Sequence, residues 1–167
     1  MIKRRQFLVL GSLLGLSPYI EAKAVSTFER SFKSVEPTIA AVQEHLFPEG
    51  SQIPSAISMQ ATQFLYETVA HKSYDRDICE FVIEGAKELD ERTEGRFALL
   101  SSSDKEKALR AYEETNYGSN WLSRIMTLTM EGIFCDPIYG SNIKEGGWKA
   151  LQAYVASPRP KTRYIAL

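Results

Sequence analysis

Glu131 to Trp148 reads EGIFCDPIYGSNIKEGGW. Asp136-Pro137, Gly140, Asn142 and Gly146-Gly147 all interrupt regular structure there. The same stretch keeps Phe134, Ile138, Tyr139 and Trp148, more apolar surface than an idle solvated loop carries. This predicts a loop that is folded in its own right and packs on helices, on a partner, or on both. Everything just upstream is patterned at helical spacing, so the loop marks the end of a helical body.

Outward from the loop, the apolar positions recur three and four apart. A fifth helix is predicted to open at Ser119 or Asn120 and run to about Gly132, with Trp121, Leu122, Ile125, Met126 and Thr129 inward. Tyr117-Gly118 separates it from a fourth helix, which Ser103-Asp104-Lys105-Glu106 would open as a capping box. A third is predicted over 74–92 with Ile78, Phe81, Val82, Gly85 and Leu89 inward, where Gly85 implies a close helix–helix contact. A second is predicted over 56–70, with Ile57 among its inward residues. A first would start at Pro37, carry Ile39, Val42 and Leu46, and close at Pro48-Glu49-Gly50. Val25 to Val35 reads as a tether. A short helix over 148–154 and a Pro- and Arg-bearing tail follow the loop. No segment alternates as a half-buried strand does. The fold class is therefore all-α: one helical domain of about five main helices over 25–167, with an ordered C-terminal loop and a signal segment before it.

That segment is residues 1–24. Lys3, Arg4 and Arg5 form a basic start, Phe7 to Leu16 an apolar run, and Ala22-Lys23-Ala24 an A-x-A cleavage pattern. The run is short for a spanning helix, though an uncleaved anchor is the alternative. Arg4-Arg5, then Gln6, then Phe7-Leu8, matches the core of a twin-arginine signal. That route carries folded proteins to the periplasm, often with a cofactor in place, yet no cofactor motif follows in this chain.

The 167 residues carry 20 basic and 21 acidic side chains, a net charge of −1. Removing residues 1–24 takes four basic residues and one acid, leaving 16 and 20 and a net charge of −4. This argues against nucleic acid as a ligand. The two cysteines, Cys79 and Cys135, could pair as a disulfide in an oxidising compartment or stay as buried thiols.

The residues offer little chemistry. His45 and His71 have no partner at metal-ligand spacing, and no dinucleotide loop, phosphate loop or nucleophile elbow is present. Glu84, Glu88, Asp90 and Glu91 read as a solvated helix face. Asp136 is the one acid in a special place, and turn initiation before Pro137 is its ordinary use. Catalytic, cofactor-binding and metal residues are accordingly all read as none.

The chain resembles the gluconate 2-dehydrogenase subunit 3 family. The resemblance rests on Arg4-Arg5, on Phe47-Pro48 with Pro54-Ser55-Ala56, on Gly85 with Leu89-Asp90, and most specifically on Gly132, Asp136-Pro137, Tyr139-Gly140, Asn142 and Gly147-Trp148. Ser141 departs from it, standing where the family commonly has a second glycine. If that glycine serves a positive φ, serine alters the turn. The resemblance implies a non-catalytic small subunit that escorts a large flavoprotein of the glucose–methanol–choline type through the twin-arginine translocase. FAD would sit on that large subunit and haem c on a multihaem cytochrome c subunit, with the assembly held at the inner membrane. The substrate would be a sugar, sugar acid or polyol. Two other readings compete: a free-standing periplasmic binding module, and a small enzyme using Asp136, Tyr139 and Asn142.

Overall fold

The computed structural model describes residues 27–153 and 157–163. Arg4, Arg5, Phe7, Leu8, Ala22 and Ala24, the export-signal residues, lie outside them. The described residues form helices and turns with no strand, which is the all-α fold that the periodicity predicts.

Residues 27–46 are helical (α1). They are followed by α2 (Ala61–Ala70), α3 (Arg76–Arg92), α4 (Ser102–Glu113), α5 (Asn116–Phe134) and the short α6 (Gly146–Ala150). Single 3-10 turns stand at Phe97–Leu99, Pro137–Tyr139 and Ile143–Glu145. The long helix α5 is the hub, packing against α2, α3, α4 and α6.

Several boundaries differ from the sequence reading. The stretch read as a tether is the first part of α1. Phe32 and Val35 are buried with Ile39 and Val42, at helical spacing, and Phe28 and Phe32 meet the Tyr66 ring of α2. Pro37 lies inside that helix on its exposed side, where the loss of one backbone donor is tolerated because burial on the other face dominates. Residues 56–60 are turns instead of helix, and Ile57 is 68% exposed. The cap of α4 is Ser101, two residues before the predicted box. Its Oγ accepts the Asp104 amide at 3.2 Å and donates to the Asp104 carboxylate at 2.7 Å. Tyr117-Gly118 does not break a helix but lies in the first turn of α5, capped by Thr115 accepting the Gly118 amide. Gly118 is required there because a Cβ would run into the Tyr112 carbonyl.

The main core gathers Phe32, Ile39, Val42, Leu65, Val69, Val82, Leu89, Phe97, Tyr112, Trp121, Ile125 and Leu128. Burying each such side chain is worth about 1.5–3 kcal/mol. Gly85 gives the close contact its sequence position implies. The Trp121 indole lies against it, so a Cβ there would overlap the ring. Two buried donors anchor that ring pair to α3: Trp121 Nε1 donates to the Val82 carbonyl and Tyr112 Oη to the Gly85 carbonyl, each at 3.0 Å. A buried polar relay ties three helices. Thr62 Oγ1 donates to Gln43 Oε1 at 2.6 Å, Gln43 Nε2 to Thr129 Oγ1 at 2.9 Å, and Thr129 Oγ1 to the Ile125 carbonyl at 2.6 Å. Every partner is satisfied, so the relay fixes the register of α1, α2 and α5 without an orphaned group.

Candidate functional site

The loop after α5 is held by Asn142. Its backbone is left-handed, with φ 49° and ψ 52°, a conformation asparagine accepts more readily than most residues. The side chain is buried. Nδ2 donates to the Cys135 carbonyl at 2.7 Å, and Oδ1 accepts the Gly147 amide at 2.9 Å. One residue therefore closes the loop by joining the end of α5 to the start of α6. Gly147 completes the joint, because a Cβ there would meet the Ile133 carbonyl. Trp148 Nε1 donates to the Phe134 carbonyl at 2.6 Å and sets the α6 end on the body.

Asp136 caps the turn over Pro137, as its position before a proline suggests. Its Oδ1 accepts the Ile138 amide at 2.9 Å. The same carboxylate pairs with Arg159 at 3.1 Å. The Arg159 hydrogen bond, with the Ile138 amide behind it, holds this carboxyl below the usual carboxylate range. Gly140 follows at φ 87°, the left-handed position that ends the turn. Ser141 has no positive φ, so serine strains nothing here. It is buried, and its Oγ lies 3.0 Å from Cys135 Sγ. Lys144 and Glu145 add φ values of 54° and 62°, so the loop turns twice in quick succession.

Beside the loop, α2 and the end of α5 leave an apolar groove of about 540 Å³. Phe64, Glu67 and Thr68 of α2, Tyr74, Glu131, Phe134, Cys135 and Tyr139 line it. Burial pushes the Cys135 thiol up from its ordinary value. Cys79 and Cys135 are both free in this structure. Cys79 donates to the Val69 carbonyl at 2.8 Å, while Cys135 faces Ser141.

The structure thus brings Asp136, Pro137, Tyr139, Gly140, Asn142, Gly147 and Trp148 into one substructure. It does not make Asp136, Tyr139 and Asn142 an open polar site, since the polar atoms of Asp136 and Asn142 are engaged by the loop itself and by Arg159. Among the described residues, no group of three or more His, Cys, Asp or Glu is placed to hold a metal ion. No helix among them is long and apolar enough to cross a membrane. His45 Nε2 lies 2.7 Å from Glu106 Oε2, bridging α1 and α4, and His71 Nδ1 lies 2.7 Å from Ser73 Oγ.

Sequence reasoning missed Arg159 and Arg163. Arg159 sits 5.1 Å over the Trp148 ring and also pairs with Glu145 at 2.7 Å. Arg163 donates to the Ile138 carbonyl at 2.6 Å and pairs with Glu67 at 3.4 Å. The only available signal was two arginines after a proline, which any solvated tail can carry. A second cluster was also illegible. Ala56, Met59, Ala61 and Ile133 are buried together with Phe47, Ile53, Phe134 and Ile143 beside them. The Ala56 amide donates to the Phe47 carbonyl at 3.0 Å, and Gly146 packs on Pro54 and Met59. The two sequence groups, Phe47-Pro48 with Pro54-Ser55-Ala56 and the loop, are therefore neighbours in space.

No curated protein and no solved structure matches the chain. The family model for gluconate 2-dehydrogenase subunit 3 matches residues 21–153, which take in α1 through α6 and the whole of the Asn142 joint. The chain belongs to the gluconate 2-dehydrogenase subunit 3 family.

Proposed function

We propose that this chain is the non-catalytic small subunit and twin-arginine export escort of a periplasmic, flavin-dependent dehydrogenase acting on a sugar, sugar acid or polyol. Membership of the subunit 3 family across residues 21–153 carries the reading. Arg4-Arg5 followed by Phe7-Leu8 supports the export role, because a signal for folded cargo suits a chain that crosses with a loaded partner. The loop supports an accessory role. Its polar side chains are committed to holding backbone, and general acid–base work needs a positioned group free to reach substrate.

On this reading FAD belongs to a large subunit of the glucose–methanol–choline type. Haem c belongs to a multihaem cytochrome subunit that holds the assembly at the inner membrane. This chain contributes binding surface and the address. Affinity purification of the chain from its own cells, with mass spectrometry and a flavin absorbance spectrum, tests the assignment. A flavin-containing complex is expected. A lone chain that carries no flavoprotein contradicts the assignment and favours a free-standing module.

A further inference from the structure

The outer faces of the helices differ in charge. Those of α3 and α4 are laced with ion pairs: Lys87 with Glu84, Arg92 with Glu88, Lys107 with Asp104, and Arg110 with Glu106 and Glu113. Over the 19 residues of α5 the charged side chains are Arg124 and Glu131 alone. Neither forms an ion pair with another described residue. Met126 and Met130 stand 43% and 44% exposed on this helix, with Ser123 and Thr127 exposed beside them. Loss of charge together with methionine and aromatic side chains marks the middle of a protein–protein interface.

Ser123, Thr127, Met130 and Phe134 recur at spacings of four, three and four, the seam of a helix that pairs with another helix. Arg124 and Glu131 flank the seam on one side, one heptad apart, and Met126 flanks it on the other. Both charges lie near enough to the Tyr74 hydroxyl to act on it, which places them on the same side of α5. Tyr117, 39% exposed, stands one heptad before Arg124 on that side.

A two-fold axis crossing α5 between Thr127 and Leu128 lays a second copy antiparallel on this seam and brings each flank against its own counterpart. Arg124 then faces the second copy's Glu131, and Glu131 its Arg124, because the two stand equally far from the axis. Met126 comes beside the second copy's Met130. Tyr117 comes over its residues 138 and 139, at the apolar groove that Tyr139 lines. Parallel pairing would set Arg124 and Glu131 against the Met126 flank and leave both charges unanswered. Matched charges of this kind fix orientation and register more than they add affinity.

We propose that the outer face of α5 is a self-complementary docking surface on which two copies of this chain pair antiparallel, with Arg124 and Glu131 joined reciprocally across the two-fold axis. The inference stands apart from the dehydrogenase reading, since both sides of the contact belong to this chain.

Sedimentation velocity of the purified full-length chain, over a series of micromolar concentrations, measures the mass. Twice the mass of one chain is expected. Arg124→Glu leaves two acids on the flank, and Glu131→Arg leaves two bases. Each variant alone should fall to half the parent's mass, with circular dichroism confirming unchanged helix content. Mixed in equal amounts, the two variants should recover the dimer, because each then answers the other's charge. A folding defect would not be cured by mixing. A parent chain that stays monomeric, single variants that remain dimeric, or a mixture that stays monomeric each overturn the proposal. A monomeric parent whose two variants instead lose capture of a flavoprotein gives the face to that subunit, with the same consequence.

Discussion

Asn142 accepts the amide of Gly147 at 2.9 Å while donating to the carbonyl of Cys135 at 2.7 Å, so one buried side chain joins the end of α5 to the start of α6. Asn142→Ala removes both bonds and leaves one buried and one part-buried backbone group without that partner. It also places alanine at φ 49°. Each orphaned group costs about 1–3 kcal/mol, and the left-handed backbone about 1–2 kcal/mol more. Thermal unfolding should show Tm lowered by roughly 10 °C, given about 2–4 °C per kcal/mol for a chain of this size. An unchanged Tm would show that the loop does not depend on this joint.

Gly85 faces the Trp121 indole with no room for a methyl group. Alanine is the better helix former by about 1 kcal/mol, so propensity alone predicts that Gly85→Ala stabilises. The packing predicts the reverse, a loss of about 1–3 kcal/mol from overpacking. Denaturant unfolding decides the sign. Trp121→Leu in the same chain should recover part of the loss, because it removes the ring that the methyl strikes. A stabilised Gly85→Ala would mean that α3 and α5 are not packed this closely.

Trp148 is half-buried, donates to the Phe134 carbonyl and carries Arg159 over its ring. Trp148→Ala should lower the stability of the isolated chain by about 2 kcal/mol, within the usual range for losing packing and a hydrogen bond together. Equilibrium unfolding of the purified subunit measures it. If stability is unchanged while assembly with a partner fails, Trp148 serves the partner and not this body.

Asp136 links the loop to the segment that follows it. Its carboxyl is held below the usual range, chiefly by Arg159. A depressed folded value means that the stabilisation is fully present above the unfolded value of about 3.9. It is lost as pH falls through the lower folded value. Asp136→Asn keeps an oxygen for the Ile138 amide but removes the charge. Its unfolding midpoint should therefore fall less steeply than that of the parent chain below about pH 4. Parallel slopes for the two chains would show that the Arg159 pair contributes nothing to folding.

The helical body was legible because burial repeats at helical spacing. Trp121, Ile125, Tyr112, Leu89 and Val82 are inward, as the pattern predicts. Met126 is not: it is 43% exposed, since α5 turns its outer face to solvent there. The ends of elements were less legible because they depend on neighbours. Pro37 looks like a helix start until Phe32 and Val35 are seen buried beside Ile39. Gly118 looks like a break until Tyr112 is seen against it. The turn residues Asp136, Gly140, Asn142 and Gly147 declared themselves through residue type. Their joint did not, because Asn142 meets the Cys135 carbonyl and the Gly147 amide only once α5 and α6 are folded. The groove lay beyond reach for the same reason, with walls drawn from separated stretches of sequence.

The export role is the centre of the account, and location of activity tests it most directly. Arg4 and Arg5 are both replaced by lysine, and dye-linked dehydrogenase activity is assayed in periplasmic and cytoplasmic fractions. The account predicts that the partner flavoprotein and its activity stay in the cytoplasm while the parent strain keeps them in the periplasm. Normal periplasmic activity in the double-lysine strain would contradict it.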